Sequence, residues 1–516
     1  MAEPQNPRII YQVTSKPGFS RDGTVLDRES YIDGQWVRFQ RGRPRKMGGF
    51  KETSATITDL IRGAYVYSRG KLEYIYGFGA ARGWLSTTTP SAASSVAASS
   101  PLPGLTDADD YTFQTDAIFD ATGGGTSNLL VHPASNIEDI ASTVNTPVYY
   151  CDIGVNPATY QTVDNGSGGT VEVSGGIVVL QPYVFAYGNN GLIKNSNPNA
   201  PNDWTIAVGN DANEVNVAGT KIVKGLAIRG GANSPAGLFW ALDSLIRVSR
   251  VGGDFRYDPI SSQTTILAPN SAIEYDGVYY WLGVDRFFSY TGTVNELANG
   301  QNYNWFFDNV NYSQRAKIWA MKNTRFGEIW WFFPFGEATE CTHALIYNVR
   351  EGYWYDVELP RSSGASAGVF RYPVAFGSSQ NNGGMYSTFV HEFGIDRIQG
   401  GDQTAIPAFV ETSDFGYPTG GAEAERPVGA DYWTRLTRIE PDFIQEGEMT
   451  VQVVGGSFAN SPAVESLPFP FDQTTGKIDL REQRRQIRLR FTSNVSGGTF
   501  QMGRVILHLE RGDIRS

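Results

Sequence analysis

The sequence predicts an all-β protein, and three observations support this. Gly accounts for 58 of the 516 residues, and Tyr, Phe and Trp together make up 13% of the chain. Aromatic residues favour strands and Gly favours tight turns, so this composition is typical of many short strands. A pattern of apolar run, tight turn and apolar run recurs along the middle of the chain. Long stretches with the 3.6-residue period of helices are missing.

The N-terminal segment, residues 1–54, is predicted to form strands that build a platform. It includes DGQWVRFQRGRPRKMGGF (33–50), a basic stretch in a chain whose formal net charge is -11. Residues 1–51 and 477–516 each carry a net charge of +5, which leaves -21 for the residues between them. Such asymmetry concerns partners and solubility rather than fold. The basic stretch could bind nucleic acid, bind a protein partner or be a solvated strand.

Residues 55–415 are predicted to form an antiparallel β-propeller, for which we prefer six blades. The recurring hairpins begin roughly 40 to 64 residues apart, a spacing typical of propeller blades. An irregular all-β sandwich is the alternative. An exposed insertion is expected at about 86–126, because STTTPSAASSVAASSPLPGL (86–105) is small, uncharged and of low complexity. The hairpins are GAYVYSRGKLEYIYGF (63–78), NLLVHPASNIEDIASTVNTPVYYCDI (128–153), YVFAYGNNGLIKNS (183–196), LFWALDSLIRVSRV (238–251), VYYWLGVDRFFSYTG (278–292), IWWFFPFGEATECTHALIYNV (329–349) and VAFGSSQNNGGMYSTF (374–389).

Residues 416–516 are predicted to form a C-terminal β-sandwich. YPTGGAEAERPVGAD (417–431) is typical of a boundary between two units. In RQIRLRF (485–491) the apolar residues Ile487, Leu489 and Phe491 alternate with Arg488 and Arg490. A period of two indicates a strand that has one apolar face and one arginine-bearing face.

The motifs of common enzymes and metal sites are absent. The sequence has no HExxH, CxxC, GxSxG, Walker or dinucleotide-binding motif. We therefore expect no catalytic residue, no metal, no cofactor and no enzymatic activity. Four histidines are not spaced as metal ligands: His132, His343, His391 and His508. The two cysteines, Cys151 and Cys341, are expected to be buried thiols. The carboxylate pair Asp109 and Asp110 is expected to be solvated. The aromatic runs Tyr279–Trp281 and Trp330–Phe333 are expected in the core.

The chain shows no signal peptide and no run of eighteen apolar residues. Two cysteines that stand 190 residues apart form no disulfide framework. We therefore expect the protein to fold in a cytoplasm.

Three stretches carry a resemblance to a known family. The first reads Asp33-Gly34-x-x-Val37-Arg38-Phe39-x-x-Gly42-x-Pro44-x-Lys46-x-Gly48-Gly49-Phe50, and the others are GLFWALDSLIRVSRVGG (237–253) and the run from Arg484 to Arg511. They resemble, in this order, the tail hub or nozzle proteins of short-tailed phages (podophages), also called packaged-DNA stabilisation proteins. In that family an aromatic strand, a Gly-x-Pro turn and a Gly-Gly step lead into a propeller. Residues 86–176 match nothing in the family.

The resemblance implies a structural virion protein, assembled in the host cytoplasm and located in the phage tail. Such proteins form a ring, generally hexameric, that closes the DNA channel, retains the packaged genome and conducts DNA during ejection. Implied partners are further copies of the chain, the portal and adaptor ring proteins of the head–tail connector, tail fibre or needle proteins, and passing genomic DNA. The expected subunit or adaptor contacts are the cations of the two basic ends: Arg38, Arg41, Arg43, Arg45, Lys46, Arg484, Arg488 and Arg490.

Two other protein classes are also all-β and rich in aromatic residues. A receptor-binding or glycan-cleaving tailspike is expected to show a regular β-helix period and clustered carboxylates. A cellular propeller that acts as a lectin or lyase would need a functional rim, and a secreted one a signal peptide. None of these features stands out in the sequence.

Overall fold

The computed structural model describes residues 8–24, 28–69, 72–80, 82–87, 95–101, 111–121, 125–135, 141–153, 160–230, 234–366, 368, 370–417, 432–457 and 461–514. Strands make up 55% of the structure and helices 4%, which confirms the all-β prediction. In the described part of the chain no helix is long and apolar enough to cross a membrane. The helical segments are α1 (Tyr303–Asn309) and the 3-10 helices Asn189–Gly191 and Tyr312–Lys317.

Short strands open the chain, before the first complete sheet. They are β1 (Arg8–Gln12), β2 (Lys16–Phe19), β3 (Ser30–Tyr31), β4 (Asp33–Gln35), β5 (Val37–Gln40), β6 (Arg43–Lys46) and β7 (Phe50–Ile57).

Four-stranded antiparallel sheets then follow one another along the chain. The first contains β8 (Ala64–Arg69), β9 (Leu72–Phe78), β10 (Arg82–Thr87) and β11 (Ser95–Pro101). The second contains β12 (Tyr111–Asp120), β13 (Thr126–Ser135), β15 (Tyr149–Asp152) and β16 (Gln161–Thr162), with β14 (Thr146–Pro147) and β17 (Glu172–Val173) paired beside it. The third contains β18 (Gly176–Leu180), β19 (Tyr183–Tyr187), β20 (Leu192–Asn195) and β21 (Asn213–Asn216).

The later sheets repeat this order. The fourth contains β22 (Ile222–Ile228), β23 (Ala236–Ala241), β24 (Leu245–Val251) and β25 (Asp254–Ser261). The fifth contains β26 (Ile273–Tyr275), β27 (Val278–Leu282), β28 (Phe287–Tyr290) and β29 (Val294–Glu296). The sixth contains β30 (Trp319–Asn323), β31 (Glu328–Phe333), β32 (His343–Asn348) and β33 (Tyr353–Glu358). The seventh begins with β34 (Arg361–Ala365), β35 (Val374–Gly377) and β36 (Tyr386–His391).

The N-terminal strand β7 joins the seventh sheet, which has six strands in the order β34-β35-β36-β7-β37-β38, where β37 is Arg397–Gln399 and β38 is Asp402–Thr404. It pairs antiparallel with β36, where His391 lies opposite Phe50. The first strands of successive sheets contact one another from the first sheet to the fourth and from the fifth to the seventh, and β34 of the seventh sheet contacts β8 of the first. The fourth and fifth sheets are joined where the Tyr279 hydroxyl donates to the Ala227 carbonyl at 2.9 Å. This closed succession is β-propeller-like, and the described residues form seven such sheets rather than the preferred six.

The aromatic runs lie in the core, as predicted. Tyr279, Tyr280 and Trp281 are buried, and so are the residues from Trp330 to Phe333. Trp281 packs against Trp240 of the preceding sheet with ring centroids 5.5 Å apart. Aromatic residues on alternate faces of a middle strand therefore fill the space on both sides of their sheet.

The C-terminal strands build the second part of the molecule. They are β39 (Ala408–Glu411), β40 (Tyr432–Glu440), β41 (Phe443–Glu446), β42 (Met449–Gly456), β43 (Val464–Glu465), β44 (Phe469–Phe471), β45 (Ile478–Arg484), β46 (Gln486–Ser493), β47 (Thr499–Met502) and β48 (Ile506–Ile514). In β46 the side chains of Ile487, Leu489 and Phe491 are fully buried, which confirms the period-two pattern.

N-terminal strands take part in all three sheets of this second part. The sheet orders are β1-β48-β40-β45, β4-β39-β46-β42-β43 and β41-β47-β6-β5. Its apolar core is continuous with the sixth and seventh propeller sheets, through residues such as Trp330, Phe389 and Leu489. The two basic ends of the chain therefore lie together, and they join the propeller beside its closure.

Two sequence expectations fall partly outside the described residues. The sequence predicts that the stretch 86–105 is an exposed loop. Its residues 95–101 instead form β11, which pairs with β10 as the fourth strand of the first sheet. Residues 88–94 and 102–110, with Asp109 and Asp110, lie outside the described residues. Most of the boundary segment 417–431 lies outside them as well.

Candidate functional site

Arg38 lies inside the molecule, so it cannot serve as the predicted subunit contact. Its side chain is 1% exposed. The guanidinium pairs with Glu328 through Nε at 2.8 Å and with Glu392 through Nη1 at 2.9 Å. The ring of Phe326 covers it, with its centroid 3.6 Å from Cζ. Because a buried cation requires counter-charges, this arginine joins β5 to the propeller instead of facing a partner.

The hairpin of β5 and β6 places the remaining N-terminal cations. Arg41 and Gly42 form its turn with φ angles of 52° and 72°, the left-handed values that a two-residue hairpin requires. Arg41 is exposed, and Arg43 and Arg45 are half-buried. Lys46 is buried and donates to the Gly498 carbonyl at 2.8 Å, so it too cannot reach a partner.

The C-terminal arginines are largely balanced by carboxylates of the same chain. Arg488 lies 3.1 Å from Glu411, and Arg490 lies 3.5 Å from the same carboxylate. Arg484 pairs with Glu482 at 2.9 Å. These three side chains are only 18 to 29% exposed. Much of the basic character seen in the sequence is therefore neutralised within the fold.

An exposed mixed-charge surface does remain on the sheet of β1, β48, β40 and β45, and we call it the terminal face. It surrounds a shallow cavity of about 770 Å³. Arg8 from the N-terminal end pairs with Glu510 from the C-terminal end at 2.9 Å. Arg481 is exposed beside them. The charged residues of the terminal face are Arg8, Arg435, Asp479, Arg481 and Glu510.

The interior of the ring of sheets is crossed by hydrogen bonds. Asn270, just before the fifth sheet, donates to the Thr112 hydroxyl of the second sheet at 3.0 Å. It also accepts a hydrogen bond from Lys224 of the fourth sheet at 3.2 Å. The second and fifth sheets are not neighbours, so this contact bridges the central space. These hydrogen bonds thus link sheets that are not neighbours.

A group of ionisable residues lies on, or next to, the first strands of the second, fourth, fifth and sixth sheets. We call this group the channel cluster: Asp116, Lys224, Arg229, Glu274 and Lys322. Burial raises the pKa of Asp116, and burial lowers the pKa of Lys224 to about 8 against the attraction of Asp116. Burial opposes ionisation of Glu274, yet hydrogen bonds from the Gly277 N–H and Lys322 hold its pKa below the usual range. Asp116 and Glu274 both interact with Arg229.

Sequence reasoning missed the channel cluster. Its members come from different sheets, and no short motif contains two of its carboxylates. The available signal was local: IVKGLAIRG (222–230) places cations inside an otherwise apolar strand. Across the described ranges, no group of three or more His, Cys, Asp or Glu side chains is arranged to hold a metal ion.

Cysteines and histidines lie where a structural role places them. Cys151 and Cys341 are buried and unpaired with each other, and burial raises the pKa of each thiol. His132 and His391 are buried and hydrogen-bonded, and His508 lies 2.7 Å from Glu440. These placements agree with the expectations from sequence.

Comparison with known proteins finds matches among solved structures alone. No protein-family model matches the sequence, and no curated protein matches it either. Among solved structures, an exo-beta-1,3-galactanase from Phanerochaete chrysosporium with beta-1,3-galactotriose is 13% identical, at a TM-score of 0.28. The same enzyme with galactose is 12% identical, at a TM-score of 0.29. Each match covers 89% of this chain and 100% of the other. Likeness at these TM-scores transfers neither substrate nor activity.

Against the expectation of no enzymatic activity, the matching solved structures are glycoside hydrolases, so that expectation is not kept. The prediction rested on missing short motifs. A ring of sheets can place carboxylates from distant strands within reach of one cation, as Asp116 and Glu274 each interact with Arg229. A motif search cannot detect such an arrangement.

Proposed function

We propose that this chain is a subunit of the ring-shaped hub, or nozzle, in the tail of a short-tailed phage. The ring retains the packaged genome and conducts DNA during ejection. The terminal face carries this proposal: both ends of the chain build one sheet, and that sheet presents Arg8, Arg435 and Arg481 beside Asp479 and Glu510. Opposite charges on one exposed surface fit a contact that must find a fixed register with a neighbour.

The DNA path in this proposal lies between subunits. The hydrogen bonds among Thr112, Asn270 and Lys224 cross the propeller interior, so a duplex would not pass through a single chain. The acidic middle of the chain suits the wall of a conduit, because cations that grip phosphates would retard DNA. A closed ring of identical subunits, a hexamer in the proposal, supplies such a path.

The proposed partners follow from the same arrangement. The terminal face contacts a neighbouring subunit or the adaptor ring below the portal, and fibre or needle proteins attach elsewhere on the ring. Each exposed ion pair contributes only about 0 to 1 kcal/mol. Repeated around a ring, such pairs determine register and increase the rate of assembly.

The test is assembly of the purified chain, alone and with portal and adaptor proteins, followed by light scattering and negative-stain imaging. The variant Arg435→Glu/Arg481→Glu reverses two charges on the terminal face. The matched control Arg256→Glu reverses a 67%-exposed arginine on β25, on the outer strand of the fourth sheet. We expect the double variant to lose ring formation or docking, while the control assembles normally and DNA affinity of the isolated chain is unchanged.

Two outcomes would contradict the proposal. Normal assembly of the double variant, with DNA binding that becomes weak and salt-sensitive, would make the terminal face a nucleic-acid site. A chain that stays monomeric with portal and adaptor but binds an oligosaccharide would favour the alternative, a glycan-binding tailspike or propeller lectin. The observation that favours this alternative is that Asp116 on β12 and Glu274 on β26 both interact with Arg229, while burial raises the pKa of Asp116 and hydrogen bonds lower that of Glu274.

A further inference from the structure

A second cavity lies where the propeller meets the C-terminal sheets. Its volume is about 510 Å³, and it is separate from the channel cluster and the terminal face. Its wall includes Arg361 at the start of β34, with neutral amide and hydroxyl groups, aromatic rings and the rim residues Glu358 and Arg397. Its aromatic lining residues are Trp36, Phe50 and Phe389, and its neutral polar ones include Ser379, Gln380 and Gln399.

Arg361 is held rigidly in this wall. Its Nε donates to His391 Nε2 at 2.9 Å, and Nη1 donates to the Pro360 carbonyl at 2.7 Å. The rings of Phe389 and Phe50 lie 4.0 and 5.0 Å from its Cζ. The side chain is therefore fixed by two hydrogen bonds and by packing between two rings.

In the part of the chain that the structure describes, no carboxylate balances the charge of Arg361. Its hydrogen-bond partners are an imidazole and a carbonyl, and Nη2 has no partner although it is buried. The residue as a whole is 3% exposed. Arg38 provides the contrast, because it is equally buried but touches two carboxylates. An unbalanced buried guanidinium lowers stability, and its cost falls when an anion binds.

The histidine partner does not supply the missing charge. His391 accepts the hydrogen bond from Arg361 through Nε2, so its imidazole is neutral. Burial, with the nearby Arg361 cation, keeps the pKa of His391 well below its ordinary value. Burial likewise lowers the pKa of Arg361 to about 9. The cavity therefore carries one cation whose charge the neighbouring groups of the chain leave unmatched.

We propose that the Arg361 cavity binds the carboxylate group of an organic ligand, whose body packs on Trp36 and Phe389. One guanidinium matches one carboxylate in charge and in fork geometry. A phosphate dianion would leave excess negative charge beside Glu358 at the rim. The carboxylate can come from a free organic acid or from the C-terminus of a polypeptide, and both sources share this chemistry. The site is independent of the proposed hub function.

Thermal unfolding and calorimetry of the full chain test the proposal. The probes are acetate, glucuronate, acetyl-trialanine with a free C-terminus, the same peptide as its amide, and phosphate, all at constant ionic strength in chloride. We expect at least one carboxylate probe to raise Tm by about 2–3 °C at a hundredfold excess over its Kd. The amide peptide and phosphate should leave Tm unchanged. Binding of the free peptide without the small acids would identify a polypeptide source.

Three variants make the test specific. Arg361→Met should abolish binding and raise Tm without ligand, because it removes the unmatched charge. Arg361→Lys keeps a charge but lacks the fork, so binding should weaken about tenfold or more. Arg256→Met on β25 should bind as the wild type does.

The proposal is overturned if no carboxylate probe binds, if phosphate alone binds, or if Arg361→Met retains binding. Should Arg361→Met fail to fold, wild-type affinity in Arg361→Lys would overturn it equally.

Discussion

Arg38 and Glu328 stand 290 residues apart in the sequence and meet in a buried ion pair. Nε of the arginine lies 2.8 Å from Oε1 and Nη2 lies 3.2 Å from Oε2. The Tyr355 hydroxyl and the Trp330 indole N–H also donate to this carboxylate, at 2.6 and 2.9 Å. Glu392 receives the other edge of the guanidinium. The pair thereby attaches the N-terminal hairpin to the sixth propeller sheet.

Replacing Arg38 with Met should destabilise the protein strongly. The change leaves two carboxylates buried without their cation, and breaking a buried pair in this way costs about 3–5 kcal/mol in the free energy of unfolding. Denaturation by urea measures the loss. The matched control is Arg41→Met in the exposed turn of the same hairpin, which should change stability by no more than about 0.5 kcal/mol. Equal free energies of unfolding for the two variants would show that the buried ion pair does not stabilise the fold.

Lowering the pH from about 6.5 to about 4 should decrease the free energy of unfolding, partly because of His132. Burial lowers the pKa of this histidine to about 4, whereas in the unfolded chain it is near 6.5. In that pH window the unfolded state binds a proton that the native state does not, so the free energy of unfolding decreases as pH decreases. The full effect of one such group is about 3 kcal/mol.

The variant His132→Gln isolates this contribution. Glutamine can still donate to the Val173 carbonyl, which His132 Nε2 contacts at 3.0 Å, but it does not titrate. Urea denaturation at several pH values should give a shallower acid dependence for the variant than for the wild type. Identical slopes would mean that His132 has the same pKa in the native and unfolded states, so that burial does not lower it.

Gly49→Ala should destabilise the junction between the two parts of the molecule. A Cβ at this position would lie 2.1 Å from the Asp396 carbonyl oxygen and 2.5 Å from its nitrogen, so backbone would have to move. Overpacking of this kind costs about 1–3 kcal/mol. The control is Gly300→Ala, where an added Cβ meets nothing within 4 Å. Thermal unfolding should separate the two variants, and a Tm for Gly49→Ala as high as that of the control would contradict the contact.

The sequence alone determined the class of the fold and the alternation within strands. Aromatic and Gly content predicted short strands, and the recurring hairpins predicted a propeller-like arrangement. The alternation in RQIRLRF predicted which side chains of β46 are buried. These predictions succeed because strand formation and the period of two depend on neighbours in the sequence.

Only the tertiary structure decided the number of sheets, the role of the basic ends and the position of the polar sites. β7 lies inside the seventh sheet although it stands more than 300 residues before β36 in the sequence, so no local pattern indicates this pairing. Arg38 and Arg361 are both arginines within strands, yet one is matched by two carboxylates and the other by none. Whether a charge is exposed, balanced or unmatched depends on groups that only folding brings near, and Coulomb interactions depend on distance in space rather than along the chain.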